Sequence, residues 1–185
     1  MVDPRLLASV RRGDNAAFKE LYQSCIGYVY TIAKRYVSNK SDHPDVIQEI
    51  FARVFLSVDT FDPAKGDFKA WLRRLAINQC LQHYRQGKSP RVHVSLEVAS
   101  NISSDEAEQF AHLSKEEIMA YLQKMPDGYR QIFMLVVMDG YSHKEVAELL
   151  TISAETSRSQ LSRAKKWLKA RISPSNKQRL LANGL

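Results

Sequence analysis

Apolar residues recur at helical spacing in two long blocks, and a stretch without such periodicity separates them. The first block runs from Asp14 to about Arg85, and the spacing is lost from Gly87 to roughly Ser104. A structureless stretch of this length is unusual inside one compact domain, so the pattern predicts two small helical domains joined by a linker. The predicted segments are a first domain 1–87, a linker 88–104, a second domain 105–172 and a C-terminal tail 173–185.

The composition of the 185-residue chain favours an all-α fold. Seven Gly and six Pro are few for an all-β protein rich in tight turns. No apolar run approaches the roughly 18 residues that cross a bilayer, and no signal-peptide core follows Met1. Cys25 and Cys80 fall within helical patterns without a C-x-x-C spacing, which favours buried hydrophobic roles. We therefore predict a soluble, cytoplasmic, all-α protein without membrane insertion.

The net charge of +7 is unevenly distributed. Residues 151–185 carry eight basic side chains and one acidic side chain, whereas segments 88–112 and 113–150 each have a net charge of −2. Such a density of positive charge is typical of nucleic-acid contact. The charge pattern therefore predicts that the C-terminal part contacts nucleic acid.

A helix-turn-helix is the strongest local pattern. Ser142 is a suitable N-cap for a short helix, and residues 151–153 separate that helix from a second one that starts near Ala154. Leu161, Ala164 and Leu168 share one side of the second helix, which we expect to pack on the domain core. The opposite side is basic and hydroxyl-bearing, as phosphate and base contacts require, and it carries Arg158, Ser159, Ser162, Arg163, Lys166 and Lys169.

Two groups of motifs extend this interpretation. The first group is DHPDVIQEIF at 42–51 and FKAWLRRLAIN at 68–78, and the second is LQKMP at 122–126, DGYS at 139–142, EVA at 145–147 and TSRSQLSRAK at 156–165. In this order and spacing they resemble bacterial RNA polymerase sigma factors of the extracytoplasmic-function (ECF) group. The resemblance covers nearly the whole chain and implies two helical domains, conserved regions 2 and 4, joined by a flexible linker.

The chain departs from the family pattern at a few positions. His43 and Pro44 stand where the family usually has acidic or small residues, and Gln82 stands where Asp is frequent. Ser157 replaces a β-branched apolar residue, and Gln160 replaces an Arg. None of these departures removes a feature that the family's mechanism requires.

The resemblance implies a function in transcription initiation. A sigma factor binds core RNA polymerase and lends it recognition of the −35 and −10 promoter elements. The implied partners are the coiled coil of the largest polymerase subunit, the flap of the second-largest subunit, promoter DNA and an anti-sigma factor. The implied docking face on the helix around Asp45 comprises Asp45, Gln48, Glu49, Ala52 and Leu56.

The resemblance also implies two DNA-binding sites. The loop 60–66 matches the family's loop that captures a base flipped from the −10 element, a step that costs a few kcal/mol of stacking. The residues implied for the −10 element are Phe61, Asp62, Lys65, Lys69, Arg73, Arg74, Asn78 and Arg85. The residues implied for the −35 element are Thr156, Arg158, Ser159, Ser162, Arg163 and Lys166.

Patterns of metal and catalytic chemistry are absent from the sequence. The five histidines show no H-x-x-x-H spacing and have no cysteine near enough to suggest a zinc site. The sequence contains neither a P-loop nor G-x-S-x-G. We therefore expect no enzyme activity, no catalytic residues, no cofactor and no metal.

Two other functions are compatible with the sequence patterns. A stand-alone helix-turn-helix transcriptional regulator would bind specific duplex DNA without polymerase. A helical RNA-binding adaptor would prefer single-stranded RNA and would not associate with core polymerase. The sigma factor is favoured because neither alternative explains both the docking helix and the helix-turn-helix.

Overall fold

A computed structural model describes residues 2–88 and 115–172 of the chain. Within these ranges all regular elements are helical, which confirms the all-α prediction. The chain forms two compact units, Met1–Ser89 and Pro90–Leu185. All but the first residue of the predicted linker 88–104, the following residues before Lys115, and the tail 173–185 lie outside the described residues. In the part of the chain that the structure describes, no helix combines the length and apolar character needed to cross a membrane.

The first unit contains four α-helices, three of which begin at an aspartate cap. Asp3, Asp14 and Asp67 each accept a hydrogen bond from backbone N–H groups of the first helical turn, as N-caps do. The sequence predicts the cap at Asp14 and the start of a helix near Asp67, but it does not predict the first helix. The four helices are α1 Pro4–Arg11, α2 Asn15–Tyr36, α3 His43–Ser57 and α4 Phe68–His83, and a π-helical turn, Tyr84–Lys88, continues α4.

The core of the first unit lies where α2 packs against the other three helices. Cys25 and Cys80 are buried there as free thiols, as predicted from their place in the helical pattern. Two histidines are buried as well. His43 Nε2 lies 3.1 Å from the carbonyl oxygen of Val37, and His83 Nε2 lies 3.3 Å from Asp42 Oδ2. These two contacts tie α3 to the end of α2 and the end of α4 to the α2–α3 connection.

The second unit contains a helical hairpin followed by the helix-turn-helix. A π-helical turn, Met134–Met138, extends the second helix of the hairpin, and Gly140 ends it with φ +75°, a conformation that favours glycine. Pro126 precedes that helix directly and does not lie inside its first turn. The four helices are α5 Lys115–Lys124, α6 Asp127–Phe133, α7 His143–Leu150 and α8 Ala154–Ile172.

The core of the second unit forms between α8 and the helices α6 and α7. A buried guanidinium makes two contacts within the hairpin. Arg130 Nη2 donates to Asp127 Oδ1 at 2.6 Å, and Arg130 Nη1 lies 3.5 Å from the carbonyl oxygen of Gln123. A buried arginine of this kind is retained only because its charge is paired. The fully buried apolar side chains of the described part of this unit are Leu122, Ile132, Met134, Leu135, Val146, Ala164 and Leu168.

Candidate nucleic-acid interface

The helix-turn-helix is built from local hydrogen bonds. Ser142 and Glu145 form a capping box at the start of α7, in which the Ser142 N–H donates to Glu145 Oε2 at 2.8 Å. At its end, Thr151 adopts a left-handed conformation with φ 56° and ψ 50°. Ser153 Oγ then accepts the Thr156 N–H at 3.0 Å, which is an N-terminal capping contact for α8. The structure thus confirms the predicted layout of helix, turn and helix.

The inner side of α8 is fixed by one polar contact in an otherwise apolar stripe. Ser157, Ala164 and Leu168 are fully buried, and Leu161 is half-buried. Ser157 Oγ lies 2.9 Å from His143 Nδ1, at the start of α7. Burial, and then the charges of Arg158 and Lys165, lower the pKa of His143 below its ordinary value. The neutral imidazole is therefore the form that the folded unit favours.

The outer side of α8 presents most, but not all, of the predicted DNA-contacting groups. Arg158, Lys166 and Lys169 are exposed, whereas Arg163 is half-buried. Thr156 and Ser159 are half-buried, and the Ser159 hydroxyl donates to the Thr156 carbonyl oxygen at 3.0 Å. An ion pair of 2.7 Å joins Arg158 to the exposed Glu155. The arginine that we expect to read bases is thus held by a carboxylate one helical turn earlier.

Ser162 departs from the expectation for this face. Its hydroxyl oxygen is buried and has no hydrogen-bond partner within the described residues. Its neighbours at i−4 and i+4 on the helix surface are the long side chains of Arg158 and Lys166. The helical wheel places Ser162 on the side of α8 that carries the basic residues, but it does not predict that the Ser162 hydroxyl oxygen is buried.

The loop after α3 is anchored by an aromatic ring. The ring centroid of Phe61 lies 5.4 Å from that of Phe68 and 5.9 Å from that of Trp71, and Phe61 is buried. Sequence reasoning assigns Phe61 to a base contact, but in the structure its ring belongs to the core beneath the loop. Arg11 Nη2, in α1, donates to the carbonyl oxygen of Phe61. Sequence reasoning misses this contact because Arg11 is 50 residues away.

The exposed part of the loop begins at Asp62. Asp62 Oδ1 accepts the Ala64 N–H at 3.0 Å, and the Lys65 Nζ lies 3.7 Å from Asp62 Oδ2. The Lys65 side chain is 84% exposed. Gly66 follows with φ +145°, which only glycine adopts without strain. The loop therefore offers a carboxylate that is already engaged and an ammonium group that projects into solvent.

The predicted −10 residues of α4, and of the turn that continues it, are exposed or half-buried. Arg74, Asn78 and Arg85 are exposed, and Arg73 is half-buried. Lys69 is exposed, and its Nζ lies 4.9 Å from the ring centroid of Tyr28, a cation–π distance. Arg74 and Asn78 lie toward α3, whereas Lys69 lies on the flank of α4 that contacts α2. Cationic and amide groups of this kind suit an unstacked strand.

A cleft of about 720 Å³ separates α3 from α4 and brings two predicted sites together. Asp45, Gln48 and Ala52 are exposed on α3, and Leu56 is 74% exposed. Glu49 is half-buried because its Oε2 accepts a hydrogen bond of 3.0 Å from Gln79 Nε2 of α4. The α3 wall of the cleft includes Glu49, Ala52 and Leu56, and the α4 wall includes Trp71, Arg74, Asn78, Gln79 and Gln82.

Neither a metal centre nor a reactive thiol is evident in residues 2–88 and 115–172. No group of three or more His, Cys, Asp or Glu side chains that could hold a metal ion occurs there. Burial raises the pKa of the Cys80 thiol to about 12, so its nucleophilic thiolate is not populated near neutral pH.

Comparison with known proteins assigns the two units to one family. The protein-family model of Sigma-70 region 2 matches residues 21–89 of the chain, and the model of Sigma-70, region 4 matches residues 115–168. The ECF RNA polymerase sigma factor SigW of Bacillus subtilis (strain 168) is 28% identical, over 93% of this chain and 97% of that protein. The ECF RNA polymerase sigma-E factor of Escherichia coli (strain K12) is also 28% identical, over 94% of this chain and 96% of that protein.

A solved structure has the same fold. The sigma factor RpoE of Bartonella quintana, in a co-crystal with the anti-sigma factor NepR, superposes with a TM-score of 0.52 at 19% identity. The superposition covers 85% of this chain and 97% of that one. With both sigma-70 regions in order and relatives that match over almost their full length, the chain belongs to the ECF group of the RNA polymerase sigma factors.

Proposed function

We propose that this sigma factor directs transcription initiation through three surfaces. The first is the exposed face of α3, which docks on core RNA polymerase. The second is the loop 60–66 with α4, which opens and holds the −10 element, and the third is α8, which reads the −35 element. The observation that carries the proposal is the presence, in one chain, of a region 2 cleft and a basic helix-turn-helix.

The −35 element would be read by the N-terminal half of α8. Arg158 is exposed near the start of the helix, the part that enters the major groove in helix-turn-helix complexes. A bidentate contact between an arginine and guanine is worth about 1–3 kcal/mol of discrimination. Lys166 and Lys169 lie further along the helix and would hold phosphates. Glu155 would have to release Arg158 before the arginine reaches a base.

The −10 element would be opened at the loop and held along α4. Unstacking a base costs a few kcal/mol, so the receiving loop must be ordered beforehand. The buried ring of Phe61 anchors the loop, and the exposed Lys65 would contact a phosphate of the strand. Arg74, Asn78 and Arg85 would then contact the backbone and base edges of the strand.

Core polymerase would dock on α3. Leu56 is the most exposed large apolar side chain in the described structure, and it lies on the same side of α3 as the exposed Asp45 and Gln48. An apolar side chain within a polar face suits burial by a partner. We assign this face to the coiled coil of the largest subunit and assign the contact with the flap of the second-largest subunit to the second unit.

The assignment to the sigma factors also suggests a domain organisation and a regulatory partner for this chain. We propose a region 2 domain at 1–87, a linker at 88–104, a region 4 domain at 105–172 and a tail at 173–185. Because the RpoE structure contains the anti-sigma factor NepR, we also propose an anti-sigma partner for this chain. The protein would act in the cytoplasm, without an enzymatic activity of its own.

A gel-shift assay with and without core polymerase tests the proposal. The sigma factor should bind promoter DNA specifically only when core is present. A stand-alone regulator would instead give a tight, specific shift by itself, and that result would overturn the proposal. A pull-down with core polymerase distinguishes the RNA-binding adaptor, which should not associate with core and should prefer single-stranded RNA.

A further inference from the structure

The last residue of α1 contacts the loop that we assign to base capture. The guanidinium of Arg11 donates from Nη2 to the carbonyl oxygen of Phe61. Phe61 is the residue at which the chain leaves the core, because its ring packs on Phe68 and Trp71 while Asp62 and Lys65 belong to the exposed turn. The hydrogen bond therefore lies at the hinge between the buried anchor and the exposed loop.

The helix α1 is a firm support for this contact. Its N-terminus is capped by Asp3, and Leu7 and Val10 are buried. The helix packs on α2 and on the 3-10 turn Val58–Thr60, which directly precedes Phe61. Arg11 consequently reaches the loop from an element that is fixed to the core on two sides.

The loop itself contains few restraints beyond this contact. The Lys65 N–H donates to the Asp62 carbonyl oxygen at 3.0 Å, and the Ala64 N–H donates to the Asp62 carboxylate. These bonds shape the turn from Asp62 to Lys65, but they do not connect it to the rest of the unit. The Phe61 N–H and the Thr60 hydroxyl donate to the carbonyl oxygens of Val58 and Ser57 in the preceding segment. The Phe61 ring connects the loop to α4, and Arg11 connects it to α1.

We propose that Arg11 is a positioning residue for opening of the −10 element. Arg11 holds the Phe61 carbonyl and so fixes the direction in which the loop leaves the core. A guanidinium has five N–H donors, so the exposed Arg11 can also donate to a phosphate of the strand while it holds Phe61. This inference rests on the proposed function of the loop in base capture.

The experiment uses the full-length chain assembled with core polymerase. The probe is a promoter that the wild-type holoenzyme selects from a library randomised at the −35 and −10 elements, with 2-aminopurine placed in the −10 element to report unstacking. The variants are Arg11→Ala, Arg11→Lys, the loop variant Lys65→Ala, and Arg12→Ala as a matched control. Arg12 is a suitable control because its guanidinium donates to Ser9 Oγ, within its own segment, at 2.9 Å.

We expect Arg11→Ala to impair unstacking of the −10 element selectively. Arg11→Ala should slow unstacking about tenfold, equivalent to about 1.4 kcal/mol, while core affinity and −35 preference stay within twofold of wild type. Arg11→Lys should recover most of the rate because an ammonium group also donates to a carbonyl. Arg12→Ala should behave like wild type, and Lys65→Ala should slow unstacking.

Three results would overturn the proposal. If Lys65→Ala slows unstacking and Arg11→Ala does not, the loop acts as proposed but Arg11 does not position it. If Arg11→Ala weakens core binding and −35 recognition as much as unstacking, its role is general stability of the first unit. If neither variant changes unstacking, the proposed function of the loop is wrong as well.

Discussion

His143 and Ser157 join the two helices of the helix-turn-helix through a hydrogen bond of 2.9 Å between Nδ1 and Oγ. Ser157 is fully buried, so this bond lies between the packed faces of α7 and α8. Arg158 follows Ser157 directly, and the bond thus fixes the part of α8 that carries the proposed base-reading side chain. The family resemblance implies an apolar residue at position 157, whereas this chain has a polar contact there.

Replacing Ser157 with Ala should lower the free energy of unfolding of the second unit by about 1 kcal/mol, the net value of a typical hydrogen bond. The chain has two tryptophans, Trp71 and Trp167, so a Trp71→Phe background confines the fluorescence signal to the second unit. Urea unfolding in that background measures the change. Ser159→Ala is the control, because its half-buried hydroxyl bonds only one turn back within α8. Equal stability of the two variants would contradict the role of the His143 bond.

The stability of the second unit should depend on the charge state of His143. Burial and the charges of Arg158 and Lys165 lower its pKa in the folded unit, so the unfolded chain takes up the proton first as the pH falls. Stability should therefore be full above the unfolded pKa of about 6.5 and decline as the pH falls through and below that value. His143→Gln should flatten this part of the stability profile. An unchanged slope in that variant would show that another group titrates.

Thr151 should be a site at which substitution stabilises the protein. It is the only residue other than glycine with positive φ in residues 2–88 and 115–172, and it is exposed. A left-handed conformation costs a β-branched residue of order 1–3 kcal/mol, and a glycine at this position avoids that cost. Glycine recovers only part of this free energy, because it loses more conformational entropy when the chain folds. Thr151→Gly should therefore raise the free energy of unfolding by up to about 1 kcal/mol, measured by urea unfolding. Thr151→Val, which keeps the branched side chain, should give no gain, and a gain with both variants would exclude the backbone explanation.

Substitution of the exposed Leu56 should weaken binding to core polymerase without changing the stability of the free chain. Because it is 74% exposed, Leu56→Ala should leave the thermal midpoint of the free chain unchanged. Burial of a leucine contributes about 1.5–3 kcal/mol, so the variant should lose about tenfold or more in affinity for core polymerase, measured by fluorescence titration. Tyr30→Ala, at an exposed aromatic on α2, is the control. Equal affinities for core would contradict the assignment of α3 as the docking face.

The sequence predicts elements whose signals are local and repeated. The caps at Asp14 and Ser142 and the helix start near Asp67 follow from short-range chemistry, and the helix-turn-helix follows from spacing. The helix α1 is missed because eight residues with two buried side chains, Leu7 and Val10, give too little periodicity.

The site is less predictable because its decisive contacts are long-range. A helical wheel places Glu49 on a solvent face, but Gln79 of α4, 30 residues later, binds its carboxylate. The family resemblance implies a base contact at Phe61, but neighbouring rings bury the Phe61 ring. Packing against other helices decides both outcomes, and sequence spacing does not encode it. The comparisons, by contrast, confirm the family that the motifs predict.

The central claim is tested most directly by transcription from a library of −35 variants with core polymerase and the sigma factor. Core polymerase with the wild-type sigma factor should initiate transcription from a defined subset of the −35 variants. Arg158→Ala should lose preference at one or two positions by about 1–3 kcal/mol, as expected for a bidentate contact to guanine. Lys169→Ala should weaken all sequences alike and reduce the salt dependence by about one unit of slope. Identical sequence profiles for both variants, at lower output, would contradict base reading by Arg158, and no initiation by wild type with core would contradict the assignment as a sigma factor.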